Sequence, residues 1–227
     1  MENSKSFTLL WIGLFAVAMG YLESAVVVYL RTIYYPGGFS FPLKTFSPEI
    51  GITELFREAA TMVMLLGIGM IAAKKAMVRF ALFIYAFAIW DIFYYIFLYV
   101  LIGWPSSLME WDILFLIPVA WIGPVLAPVI NSITMILLAN SIIYAEYRTG
   151  KPNMTAGEWI LVLLGSLVTI AAYTIDYIYY LYNGHVISHF TQSLIHYIPQ
   201  NFKWGLFTAG ELLFCASLFS YWRRLLK

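Results

Sequence analysis

Charge is scarce in this sequence. Asp, Glu, Lys and Arg make up 11% of the 227 residues, where soluble domains carry about a quarter. With 62% hydrophobic residues, there is more apolar surface than a soluble fold can hide. Cysteine is nearly missing. Cys215 stands alone inside an apolar run, which excludes an intramolecular disulfide and a thiolate metal cluster. Histidine occurs three times, all between 185 and 196, so no pair of imidazoles is spaced to hold a b-type haem between membrane helices. No GxxxxGK[ST] or GxGxxG loop, HExxH pair or plausible Ser-His-Asp spacing is present. A basic nucleic-acid patch is missing too, as is a lysine deep in an apolar run for a retinal Schiff base. No motif names a reaction, and no cofactor is implied.

What is abundant is apolar length. Runs of about 20 residues recur, each long enough for a helix to cross a hydrocarbon core of about 30 Å. They predict an all-α integral membrane protein, one polytopic domain of six spans at about residues 7–33, 53–73, 78–102, 124–147, 156–182 and 204–222. The first run is longer than a secretory h-region and carries Glu23, so it reads as a retained span. Residues 111–147 are too long for one crossing. Pro118, Gly123-Pro124 and Pro128 predict a broken, interfacial or re-entrant piece over 112–122, with span 4 entered at Pro124. Two aromatic-rich segments, 34–52 and 183–203, are expected to lie at the outer interface and roof the bundle.

Alternating the spans sorts the charges. Lys5, Lys74, Lys75, Arg79, Arg148, Lys151, Arg223, Arg224 and Lys227 fall on one side, with Lys44, Lys203, Arg31 and Arg57 on the other. The positive-inside rule then places both termini in the cytoplasm of a cell inner membrane. Nine of the twelve acids are central or outer. Asp91 lies about 16 Å in from its inner end, and Glu23 and Asp176 about 25 Å. Ionisable groups at such depth cost a few kcal/mol each and face the bundle interior or a wet cavity.

The expectation is one outward-facing acidic and aromatic pocket, with Glu23, Arg57, Glu58, Asp91, Tyr95, Asp176, Tyr180 and Glu211 as ligand-binding residues and Trp90 and Trp121 as walls. The alternative is that each acid is satisfied separately and locks helices together. Glu54, Arg57 and Glu58, at i, i+3 and i+4, share a helix face and form a charge-assisted cluster. A D-x-x-Y-Y phrase occurs twice, at Asp91–Tyr95 and Asp176–Tyr180, placing phenols beside each carboxyl and hinting at an internal repeat. His185, His189 and His196 share a face if their segment is helical, and the HxxxH pair is a spacing that can hold a metal. An interfacial helix with its histidines among headgroups is the commoner outcome for such a segment.

These features point to a carrier or binding protein for a cation or a small cationic or amphipathic ligand, since acids with aromatics suit organic cations. The partners expected are the lipid bilayer and a small-molecule or cation ligand, with no nucleic acid. A membrane-embedded enzyme acting on a lipid or isoprenoid is one alternative. An accessory subunit docked on partner membrane subunits is another.

Overall fold

A computed structural model describes residues 2–45, 47–185 and 194–226. It is mostly helical. The helices are α1 (Glu2–Tyr34), α2 (Pro48–Ala72), α3 (Ala76–Ile102), α4 (Leu126–Thr149), α5 (Ala156–Tyr180) and α6 (Trp204–Leu225), with one β-hairpin between α3 and α4. Of these, α1 to α5 are long and apolar enough to cross a membrane. Together they point to a multi-pass membrane protein. In α6, Glu211, Thr208, Ser217, Ser220 and two terminal arginines dilute the apolar residues.

α3 is the hub. It packs extensively against α1, α2 and α4, while α6 lies along α5 and touches α4. Two glycines set these distances. A Cβ on Gly20 would come within 3.0 Å of the Trp90 carbonyl, and one on Gly69 within 2.9 Å of the Arg79 carbonyl, so α1 and α2 approach the α3 backbone where they lack a side chain. Ser24, 0% exposed, fastens the first contact through its hydroxyl, which donates to the Tyr94 carbonyl at 2.9 Å.

The basic end of the bundle is pinned by ion pairs. Arg224 reaches Glu158 at 3.0 Å, and Glu158 also closes a capping box with Thr155 at the start of α5. Lys75 pairs with Glu146 at 2.8 Å.

The segment between α3 and α4 is broken, but not into a helix. β1 (Trp111–Phe115) and β2 (Trp121–Pro124) form an antiparallel hairpin with Asp112 opposite Gly123. Prolines 118 and 124 interrupt helical bonding, and the aromatic and β-branched residues around them suit a pleated ribbon. α4 consequently begins at Leu126, two residues later than the composition indicates. Aromatic side chains cover the hairpin backbone. Phe115 stacks on Phe87 of α3 (5.9 Å, 11° between planes) and touches Trp121, which stacks on Tyr173 of α5 (6.2 Å, 17°). The hairpin is a wedge between α3 and α5.

Of the expected outer segments, residues 35–45 are irregular, and Leu43 packs with Leu194, Ala120 and Tyr177. α5 ends in a π-turn, Leu181–His185. The proposed helix over 186–198 falls mainly outside the described residues.

Candidate functional site

A cavity of about 200 Å³ opens between α1, α2, α3 and the hairpin. Five carboxyl groups line it: Glu23, Glu54, Glu58, Asp91 and Asp112. So do two guanidiniums, Arg31 and Arg57. α1 and α3 end near the cavity mouth, and both Glu23 and Asp91 lie eleven residues before the last residue of their helix, or about 17 Å of helix.

Each charged group has its own attachment. Arg57 makes ion pairs with Glu23 and Glu54, and Thr61 donates to the other Glu23 oxygen at 3.3 Å. Glu58, on the same face, accepts the backbone N–H groups of Leu116 and Ile117 at 2.8 and 3.2 Å. Its oxygens are therefore taken by the hairpin turn, while the Arg57 ion pairs go to Glu23 and Glu54. Asp112 projects from β1, accepts from Arg31 at 3.2 Å and lies at 3.5 Å from the Tyr94 hydroxyl. Burial pushes its carboxyl up to about 6, and Arg31 limits the rise.

Asp91 is held most lightly. Ser132 of α4 donates to its Oδ2 at 2.8 Å, and among the described residues no cationic side chain makes an ion pair with it. Asp91 is 9% exposed, and Trp90 and Tyr95 beside it are 7% and 5%. The Trp90 indole N–H has no acceptor among the described residues.

A second, wider cleft of about 850 Å³ lies beyond, lined by Trp104, Glu110, Ser40 and the loop after α1. Arg31, Tyr35 and Phe39 belong to both spaces. The Arg31 guanidinium lies 3.7 Å over the Trp104 ring and 4.3 Å over Phe39, so the partition is an arginine packed on two mutually perpendicular rings and tied to Asp112.

Of the eight residues expected to share a pocket, Glu23, Arg57, Glu58, Asp91 and Tyr95 line this cavity, and three lie elsewhere. Asp176 pairs with Lys203 at 2.9 Å, both partly exposed. Tyr180 stacks near Tyr177 and Tyr197. Glu211 is bonded to Thr134 between α4 and α6. The two D-x-x-Y-Y phrases thus occupy different surroundings, because α3 is enclosed by three helices and α5 is not. Trp90 is a wall of the cavity, whereas Trp121 stacks in the hairpin wedge.

Arg31, Asp112, Glu54 and Tyr94 also line it and were not singled out as ligand residues. The signal available for Arg31 was its isolation, one of few cations on an acid-rich side. For Asp112 there was none, since its inward direction follows from the hairpin pleat. His196 is exposed, and His189 lies outside the described residues along with its contacts. No group of three His, Cys, Asp or Glu side chains among the described residues is arranged to hold a metal.

Fold and site together define a multi-pass helical membrane protein with a small acidic cavity at the α1-exit end of its bundle. Comparisons with protein-family models, curated proteins and solved structures return no match for the chain.

Proposed function

We propose that this is a six-span inner-membrane protein, both termini cytoplasmic, that binds and carries a small organic or amphipathic cation entering its cavity from the outer side. One observation carries the reading: five carboxyls face two guanidiniums around about 200 Å³, an excess of three negative charges when all are ionised. Asp91 is the natural anchor. Its cavity side has aromatic neighbours that attract cations through their ring faces, and a cation there would offset the cost of a buried carboxylate.

Size narrows the ligand. Drug-sized molecules occupy roughly 300–1,000 Å³, so this cavity fits a small ammonium compound better. The apolar wall of Val27, Leu30, Ile113 and Leu116 suits a short alkyl portion. The wider cleft beyond Arg31 supplies an outer route. The basic residues at the opposite end support the orientation, and α6, 22 residues long, reaches about 33 Å, enough for a sixth crossing.

The test is calorimetric titration of the purified protein in nanodiscs with tetramethylammonium and with a short primary alkylamine. Saturable binding is expected with at least one, and Asp91→Asn should weaken it by about tenfold or more, the loss of one charge-assisted contact. Asp176→Asn should stay within about twofold, because exposed ion pairs contribute little. No saturable binding by either probe, or undiminished affinity in Asp91→Asn, would overturn the reading.

A further inference from the structure

Glu211 is the acid that the cavity leaves out. It projects from α6 toward α4, where the Thr134 hydroxyl donates to its Oε2 at 2.7 Å. Its Oε1 is buried and has no partner among the described residues. Two other buried oxygens share that condition. Asn131, three residues before Thr134 on α4, donates its Nδ2 to the Tyr173 hydroxyl at 2.9 Å and leaves Oδ1 without a donor. Thr169, four residues before Tyr173 on α5, is 5% exposed, and its Oγ1 is also without a partner.

Contacts link the segments that carry these groups from helix to helix. A Cβ on Gly210 would lie 2.2 Å from Thr169 Oγ1, so that hydroxyl faces the turn of α6 carrying Glu211. Thr134 and Asn131 are about one turn apart on one face of α4, and the bonds to Glu211 and Tyr173 tie that face to both neighbours.

Buried polar atoms are normally paired, and here three helices each leave an oxygen over. Thr169 has one hydroxyl proton, which can serve one acceptor and does nothing for the carboxylate charge. Turning over the Asn131 carboxamide would offer Glu211 a neutral donor but no charge. Carboxylate, carboxamide and hydroxyl oxygens suit hard cations. A single negative charge sets the valence, because a divalent ion would leave an uncompensated charge in a low-dielectric interior. The tight crossing of α5 and α6, where a Cβ on Gly165 would come within 3.1 Å of the Gly210 carbonyl, favours a small ion.

We propose that Glu211, Asn131 and Thr169 bind one sodium ion between α4, α5 and α6, at a site separate from the acidic cavity and independent of what that cavity takes. The experiment uses the full chain in nanodiscs and radioactive sodium in a scintillation proximity assay. Saturable binding near one ion per chain is expected. NaCl, but not KCl or choline chloride, should raise the melting temperature by roughly 5 °C or more when sodium exceeds its Kd about 100-fold.

Glu211→Gln and Thr169→Val, both close in shape to the native residues, should each lower sodium affinity by about tenfold or more. Asp91→Asn should keep it. If Glu211→Gln does not fold, Thr169→Val carries the test. Absence of saturable sodium binding in folded wild-type protein overturns the proposal, as does affinity unchanged in the folded variants. Loss in Asp91→Asn with retention in Glu211→Gln places the ion in the cavity and overturns it equally.

Discussion

Asp112 carries the sharpest expectation for a single residue. Its carboxyl stands near 6 against an ordinary 3.8, so the folded protein holds that proton more tightly than the unfolded chain does. Stability attached to this group is therefore fully present below about pH 4. It is lost as pH rises through about 6 and changes little above that. Arg31 opposes the rise, since its guanidinium favours the ionised carboxyl. Replacing it in Arg31→Met leaves Asp112 buried with phenols and the Ile113 amide near it but no cation, a change that costs about 3–5 kcal/mol when the carboxyl stays charged. Thermal melts of wild type and Arg31→Met between pH 5 and pH 8 should show a gap that widens toward pH 8, where a charge without its partner must stay buried. A gap constant across that range would mean that the pair is not coupled in this way.

Among the elements, the hairpin depends most on a neighbour. Its two strands bond to each other, but the turn between them reaches outside for satisfaction. The amides of Leu116 and Ile117 both donate to Glu58 of α2. Phe115 and Trp121 hold the strands against α3 and α5 independently of that contact. Glu58→Ala should accordingly leave the helices in place while removing the acceptor of the part-buried Leu116 amide, at a cost of about 1–3 kcal/mol, and that of the exposed Ile117 amide, which water can satisfy. The expected readout is faster amide hydrogen exchange confined to residues 114–120, with α1 to α6 protected as in wild type. Unchanged exchange in the turn would show that α2 does not anchor it. This element also explains why an acid beside an arginine need not be its partner. Glu58 lies next to Arg57 on α2, yet a strand turn takes its oxygens.

For the molecule as a whole, the question is the number of crossings. Five helices are long and apolar enough, and an odd number would put the termini on opposite faces. The proposed sixth crossing by α6 puts them on one face, together with Lys74, Lys75, Arg148 and Lys151. A reporter fused after Lys227 that is active only in the cytoplasm should be active, and one placed in the loop at Gly38 should be silent. Activity at both positions, or silence at both, would remove α6 as a span and leave five, whereas activity at Gly38 with silence after Lys227 would keep six and invert the orientation. The packing of α6 along α5 bears on the same point. Glu211 and Ser217 point into the protein, Ser217 donating to the Glu158 carbonyl at 2.9 Å, so polar groups that dilute its hydropathy need not meet lipid.

The helical, multi-span character and most helix bounds were legible in the sequence, because bilayer thickness demands long apolar runs and helix stops are local events at Pro, Gly and charge. Glu23, Glu58 and Asp91, acids of the expected pocket, do line the cavity, since an ionisable group inside an apolar run has few places to go. The i, i+3, i+4 spacing announced the Arg57–Glu54 pair, which needs only one helix. How the acids divide among sites was not legible. Asp91 and Asp176 sit in the same five-residue phrase, yet one is enclosed where α3 meets α1, α2 and α4, and the other meets Lys203 near the surface. Arg31 and Asp112 are 81 positions apart, and their pairing exists because a hairpin, not a helix, follows α3. Single-helix patterns are periodic and can be read from spacing. Which helix faces which is settled by close approaches such as Gly20 on α3 and Gly210 on α5, and those depend on the whole packed bundle. The sequence by itself determined a membrane-spanning chain with buried acids; the tertiary structure alone decided which of them share a cavity.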